Sequence, residues 1–241
     1  GDSGDGRMPE ESVLFRYIEK EIACAKDLKG KKILVTAGAT REAIDPVRFI
    51  TNHSSGRMGC ALARAAMLRG AEVTLIHGHM DVQAPMFVNA CPVDSAAQMA
   101  EAVLKAAPQQ DIIIKAAAVS DYTPATTAQN KIKKADGDMS IPLRRTVDIL
   151  KTLGTQKQPG QVICGFSMET RDMVANSQAK LEKKKVDMIC ANNLKVAGAG
   201  FGVDTNVLTL ITADGAEELP LMSKEEAAGT ILDRALAMAG C

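Results

Sequence analysis

The stretch KKILVTAGATREAIDPVRFITNHSSGRMG, Lys31 to Gly59, decides the fold. Its opening, Lys32–Ala37, is apolar and β-branched, the pattern of a strand buried on both faces. Its close, Ser54-Ser55-Gly56-Arg57-Met58-Gly59, runs into an alanine-rich helical pattern predicted over Met58–Arg69 and stopped by Gly70. Residues 39–55 form a polar insert holding Thr40, Arg41, Asp45, Arg48, Asn52 and His53. A strand that passes through glycines into a helix gathers backbone N–H groups and a helix N-terminus at one sheet edge. That arrangement can hold a phosphate-bearing ligand.

Outward from this stretch, strands and helices alternate. Strands are predicted at Glu72–His77, at Met86–Pro92 and, with Ile112-Ile113-Ile114, at Asp111–Ala117; a helix over Ser95–Ala106 takes Ser95 or Asp94 as its cap. Residues 118–135, with Pro124 and few apolar side chains, read as a long loop of the functional or mobile kind. Beyond it come strand Met139–Arg144, helix Val147–Gln156, strand Gln161–Phe166, basic helix Val174–Val186 and strand Met188–Ala191. Strands Asn206–Thr212 and Glu218–Leu221 follow about an Asp214-Gly215 turn, and a last helix is opened by a Ser223/Glu226 capping box. The alternation predicts an α/β, Rossmann-like, doubly wound and mostly parallel sheet, with helices on both faces and a small extra β element. Residues 1–30 read as a leader, with Ser12 capping a short helix and residues 1–10 without firm structure.

Composition narrows the function classes. Lys+Arg and Asp+Glu number 29 each, so there is no basic excess for general nucleic-acid or membrane-surface binding. No apolar run approaches the roughly 20 residues of a membrane span. The six cysteines are scattered without a C-x-x-C pair, which points to buried, reduced thiols in a cytoplasmic protein.

The glycines do not form a dinucleotide fingerprint. Gly38 follows the first strand at once, but Gly56 and Gly59 come only after the insert, and the second strand ends His77-Gly78-His79 with no acid for a ribose. A Rossmann-type nucleotide-dependent reductase is therefore disfavoured, although the topology it needs survives. Asn52 and His53 flank the proposed phosphate loop; an Asn amide can stabilise an acyl intermediate, or simply make an Asx turn. Asp121 follows a strand at its carboxyl end, where it can take a ribose hydroxyl, help hold a metal ion, or cap a loop. Lys131, Lys133 and Lys134 form a K-I-K-K run that suits a triphosphate as well as a solvated face. Lys180 and Lys184 share one helix face, mildly unfavourable unless an anion lies between them.

Taken together, LVTAGATREAIDPVRFITNHSSGRMG, KAAAVSDYTPA, NKIKK, GFSMET, KLEKKKVDMICANN and Phe201–Asn206 strongly resemble phosphopantothenoylcysteine synthetase over Lys31 to about Gly240. The resemblance implies a ligase of coenzyme A biosynthesis that joins 4'-phosphopantothenate to L-cysteine. The bacterial type uses CTP and Mg2+ (or Mn2+): the carboxylate attacks the α-phosphate, pyrophosphate leaves, and the cysteine amine then displaces CMP from the acyl-cytidylate.

Residue by residue, the resemblance makes Asn52 the group that turns over the acyl-cytidylate and Lys131 the group that forms it. It places Gly38, Ala117, Asp121, Phe166, Lys180 and Lys184 at the nucleotide, with Asp121 also toward the metal, and Ser54, Ser55 and Gly56 at the phosphates or phosphopantothenate. Val147, Asp148, Ile149 and Leu150 match the cytosine contacts, although Val147-Asp148-Ile149 stands where many relatives have Pro-Asp-Ile. It further implies a homodimer, and it makes residues 1–30 the link from a preceding decarboxylase half, in which the FMN would sit. A domain that only binds or assembles is the third reading, against which the intact Asn52 and Lys131 speak.

Overall fold

The structure, a computed structural model, describes residues 8–134, 136–169, 172–193 and 204–240. The first half of the chain runs α1 (Glu11–Ile22), β1 (Lys32–Ala37), β2 (Arg41–Ala43), β3 (Phe49–Thr51), α2 (Arg57–Leu68), β4 (Glu72–His77), β5 (Asn89–Pro92), α3 (Ala96–Ala106) and β6 (Ile112–Lys115). The second half runs β7 (Tyr122–Pro124), β8 (Leu143–Arg145), α4 (Ile149–Gln156), β9 (Val162–Glu169), α5 (Met173–Lys184), β10 (Met188–Asn193), β11 (Thr205–Asn206), β12 (Leu208–Thr212), β13 (Gly215–Glu218), β14 (Met222–Ser223) and α6 (Lys224–Met238).

Eight strands form the central sheet in the order β13-β12-β10-β9-β6-β1-β4-β5. All pairs from β5 to β10 are parallel, and β12 and β13 close the far edge antiparallel. Counted in chain order, the parallel strands lie third-second-first-fourth-fifth-sixth, the doubly wound arrangement expected from the alternation. The buried runs explain why the middle strands sit in the middle. In β6, Ile112 and Ile114 join one apolar cluster with α2 and α6, while Ile113 joins the other with α3, α4 and α5. The alternation of a strand therefore turns Lys115 toward the α4 and α5 side. Helix α2 lies close on β1 because Gly59 has no side chain: a Cβ there would come within 2.4 Å of the Ala37 Cβ.

Several boundaries differ from the sequence expectation. The polar insert is not plain loop: β2 and β3 pair antiparallel within it. Nor is 118–135 unbroken loop, since β7 lies inside it and pairs with β8. The strand expected at 139–144 is only Leu143–Arg145, and the one expected at 218–221 lies at Gly215–Glu218, with Leu219 turned into the core. Thr205–Asn206 leaves the central sheet to pair with β14. The first helix begins after Glu10, so Ser12 lies inside it instead of capping it. By contrast, Ser95 with Gln98 and Ser223 with Glu226 both form complete capping boxes.

Residues before β1 are docked on the domain. Leu28 is fully buried, and Asp27 pairs with Arg69 of the α2 C-terminus. Glu19 of α1 pairs with Arg64 of α2, and Tyr17 packs edge-on against Phe87 with ring centroids 4.7 Å apart. Residues 1–7 and Phe201–Val203 lie outside the described residues. Among the described cysteines all are free; burial pushes the Cys60 thiol up to about 11 and raises Cys164 and Cys190 further. No described helix is long and apolar enough to cross a membrane.

Candidate active site

The site lies where the strand order reverses, outside the carboxyl ends of β1 and β6. Two loops are joined there by paired hydrogen bonds. The Ala117 N–H donates to Thr36 Oγ1 at 3.1 Å, and the Ala118 N–H donates to the Gly38 carbonyl at 2.9 Å. The Ser120 N–H donates to Thr40 Oγ1 at 3.0 Å. The β2–β3 hairpin then projects from this seam and is held at its base, where the buried Glu42 carboxylate accepts from the Ala96 N–H at the start of α3, 2.9 Å away. The chain returns through Asn52 to the N-terminus of α2. Gly56 precedes that helix with φ of 76°, which few other residues adopt, and as the N-cap it has no side chain to offer the first N–H groups.

A cavity of about 400 Å3 opens over this edge. Asn52, Ser54, Ser55 and Gly56 form one wall, and Ala117, Asp121 and Phe166 face them. A smaller cavity of about 120 Å3 adjoins it, bounded by Val147, Asp148, Ile149 and Leu150 at the start of α4 and by Lys184 of α5. Lys115, Val119, Asp121, Phe166 and Lys180 line both, so they form the neck between the two spaces. The neighbouring helix lysines do not repel across open space: Lys184 pairs with Asp148, and Lys180 donates to Ser167 Oγ at 3.1 Å. Burial pushes the Asp148 carboxyl up, but hydrogen bonds from Lys184 and the Lys151 amide, with the Lys184 charge, hold it below its ordinary value. Asp148 also caps α4, and residues 147–150, expected at the cytosine, line this smaller cavity.

Residues 28–238 match the family model described as DNA/pantothenate metabolism flavoprotein C-terminal domain. The chain belongs to this family. Coenzyme A biosynthesis bifunctional protein CoaBC of Bacillus subtilis is 47% identical over 99% of this chain and 59% of its own length; that of Escherichia coli is 40% identical over 97% and 58%. The chain thus spans about three fifths of the length of these curated relatives. A crystal structure of the C-terminal domain of a CoaBC protein superposes with a TM-score of 0.75 at 45% identity, covering 88% of this chain and 98% of that one. A Cab2 variant crystallised with phosphopantothenate-cysteine shares the fold with a TM-score of 0.73 at 17% identity. The family resemblance read from the motifs therefore stands, and none of these relatives favours a reductase.

Within this flavoprotein C-terminal domain, most of the expected site residues come together, but two do not. Lys131 is exposed and lines neither cavity. Its segment is drawn toward the insert instead: the Ile132 N–H donates to Asp45 Oδ2 at 3.1 Å, and Arg48 Nη2 donates to the Ile132 carbonyl at 3.2 Å. Gly38 supports the seam by its backbone and lines neither cavity. Asn52 reaches the Ala118 carbonyl with its Nδ2 at 3.5 Å, a long contact that leaves the amide available.

Sequence reasoning missed Lys115, Ser167, Asn192, Asn206, Arg57 and Lys224, all of which line the larger cavity. Arg57 pairs with Asp204 at its rim. Lys224 is buried, and that burial lowers its pKa, with Asp204 pulling it up and Arg57 pulling it down. Asn192 keeps its Oδ1 buried without a hydrogen-bond partner among the described residues. One signal was present in the sequence: Lys115 is a cation ending a run of three buried isoleucines at a strand's carboxyl end.

Proposed function

We propose that this chain is a phosphopantothenate–cysteine ligase that uses CTP and works in coenzyme A biosynthesis. The observation that carries the reading is the double cavity at the sheet's switch point, with Asn52 and the uncapped α2 N-terminus in one space and the α4 start in the other. The smaller space takes the base. The neck takes the ribose and α-phosphate. The larger space takes the rest of the triphosphate and the acyl group of 4'-phosphopantothenate, with backbone N–H groups aimed at negative charge.

In the first step the phosphopantothenate carboxylate oxygen attacks the α-phosphorus, an O–P bond forms, and the bond to pyrophosphate breaks. Lys131 neutralises charge on the phosphates once its segment leaves Asp45. In the second step the amine of L-cysteine attacks the acyl carbon and CMP departs with the electron pair of the broken C–O bond. The Asn52 Nδ2 group donates to the developing oxyanion. Mg2+, or Mn2+, when bound, neutralises charge on the nucleotide phosphates. No cluster of three metal-ligating side chains occurs among the described residues, and Asp121 is the carboxylate at the neck not spent on a partner helix. One carboxylate suits an ion that shares its coordination with phosphates.

Residues 1–30 are proposed to link this domain to a decarboxylase part, where FMN would bind, and the enzyme to act as a homodimer in the cytoplasm. Incubation with phosphopantothenate, L-cysteine, Mg2+ and each nucleotide in turn tests the activity. Pyrophosphate release is expected with CTP and not with ATP. Release with ATP alone would overturn the nucleotide assignment, and no release with any nucleotide would overturn the ligase.

A further inference from the structure

One buried group of the larger cavity has no task in the two steps above. Asn192, near the end of β10, is 8% exposed and lines this cavity, yet its Oδ1 has no hydrogen-bond partner among the described residues. An acceptor shut away from water and left open is costly, and is kept where a ligand brings the missing donor. Asn206 lines the same cavity and differs: its Oδ1 accepts from the Val207 N–H at 3.1 Å. The strand decides which ligand can reach Asn192. In β10, Met188 and Cys190 belong to the apolar cluster of α2 and α6, and Ile189 and Ala191 to that of α4 and α5. Alternation therefore turns Asn192 to the α2 and α6 side. It does not line the smaller space at the α4 start, which takes the base.

We propose that Asn192 is an L-cysteine-binding residue whose Oδ1 accepts from the α-amino group and holds it toward the acyl carbon, an assignment that rests on the ligase reading above. The chemistry of the three substrates selects this one. The phosphate and carboxylate oxygens of CTP and phosphopantothenate call for donors, and an amide oxygen repels them. The ammonium group of L-cysteine is the strongest donor of the set, and its bond to an amide oxygen is charge-assisted. Its carboxylate also suits this side of the sheet, where Arg57 and Lys224 line the same cavity. In the amide-forming step the ammonium gives one proton to water and its freed lone pair forms the C–N bond. CMP leaves with the electron pair of the broken C–O bond, and the nitrogen gives a second proton to water. A side-chain amide takes neither proton, so Asn192 binds and orients the amine while Asn52 donates to the oxyanion.

The test compares wild type with Asn192→Leu, which has similar bulk and no acceptor, and with Asn192→Ala, which leaves space instead and carries the comparison if the leucine variant does not fold. Pyrophosphate release from CTP and phosphopantothenate without cysteine reads the first step alone. The KM for L-cysteine reads the second. Both variants are expected to release pyrophosphate at close to the wild-type rate and to raise the cysteine KM at least about tenfold, the factor for one lost hydrogen bond to a charged group. A wild-type cysteine KM in the variants overturns the assignment. So does a first step slowed as much as the second, which would put Asn192 at phosphopantothenate or make it a brace for the strand end. Wild-type protein that releases no pyrophosphate is a separate result: it overturns the ligase reading, and this assignment with it.

Discussion

Asn52 and Lys131, the two residues assigned to the two chemical steps, belong to regions built on opposite plans. Asn52 sits in a stretch fastened at both sides. The seam between Thr36, Thr40 and Ala117–Ser120 fixes its base, and the close fit of Gly59 on Ala37 fixes the helix that follows. Lys131 sits on irregular backbone, with an exposed side chain, and its segment is drawn in chiefly through Asp45 and Arg48. The difference teaches which half of the reaction is preset. On the proposed reading, the group for the amide-forming step is already in place, whereas the group for nucleotide transfer must be brought to the cavity.

The largest test of this contrast is chemical. Asn52→Asp should still release pyrophosphate but lower amide formation about 10²–10³-fold, the cost typical of one lost oxyanion donor, so that acyl-cytidylate accumulates. Lys131→Gln should instead lower pyrophosphate release itself. Rapid quenching and chromatography of the acyl nucleotide separate the two. If both variants stall at the same step, the division of labour is wrong. Smaller is the effect on stability. Gly59→Ala forces a Cβ to within 2.4 Å of the Ala37 Cβ and should destabilise the fold by about 1–3 kcal/mol, seen as a lower denaturant midpoint. Lys131→Gln should stay within about 0.5 kcal/mol of wild type. An unchanged midpoint for Gly59→Ala would mean that α2 can move off β1, and that the fixed side is not fixed.

The same contrast decides what could be read in the sequence. The fixed side announces itself, because burial on both faces demands continuous apolar runs such as Lys32–Ala37 and Ile112-Ile113-Ile114, and a close helix demands glycine. Helix starts are local, so the Ser95 and Ser223 caps were visible as well. The loose side leaves no such trace. Strands β2, β3, β7 and β8 have three residues each, too short for a period to show in the sequence. Strand β13 is exposed at every position, so no apolar signal marked its start. Position 131 was legible as a cation but not as one outside the cavity, since its tie to Asp45 spans the whole of β6 and the helices before it. Lys115 was hidden by its neighbours: it looked like the frayed end of an apolar strand.

The last and smallest effect concerns that tie. The Asp45 side chain is fully buried and accepts from the N–H groups of Val47 and Arg48, each at 2.8 Å, as well as from Ile132 and the Arg48 guanidinium. Burial pushes its carboxyl up, but the Val47, Ile132 and Arg48 amides and the Arg48 charge outweigh that and lower it. A lowered folded value means the tie is complete above the ordinary carboxylate pKa of about 3.9 and is lost as pH falls through the folded value. Exchange of the Ile132 amide should therefore stay slow through the mildly acid range and quicken only below it. Asp45→Asn keeps the shape but drops the charge, and should speed tryptic cleavage after Lys131 and Lys133 several-fold at neutral pH with the denaturant midpoint little changed. If cleavage does not quicken, Asp45 is not what holds the segment. If it quickens and pyrophosphate release rises with it, release of this segment limits the first step; if release falls, the Asp45 anchor is part of how Lys131 is aimed.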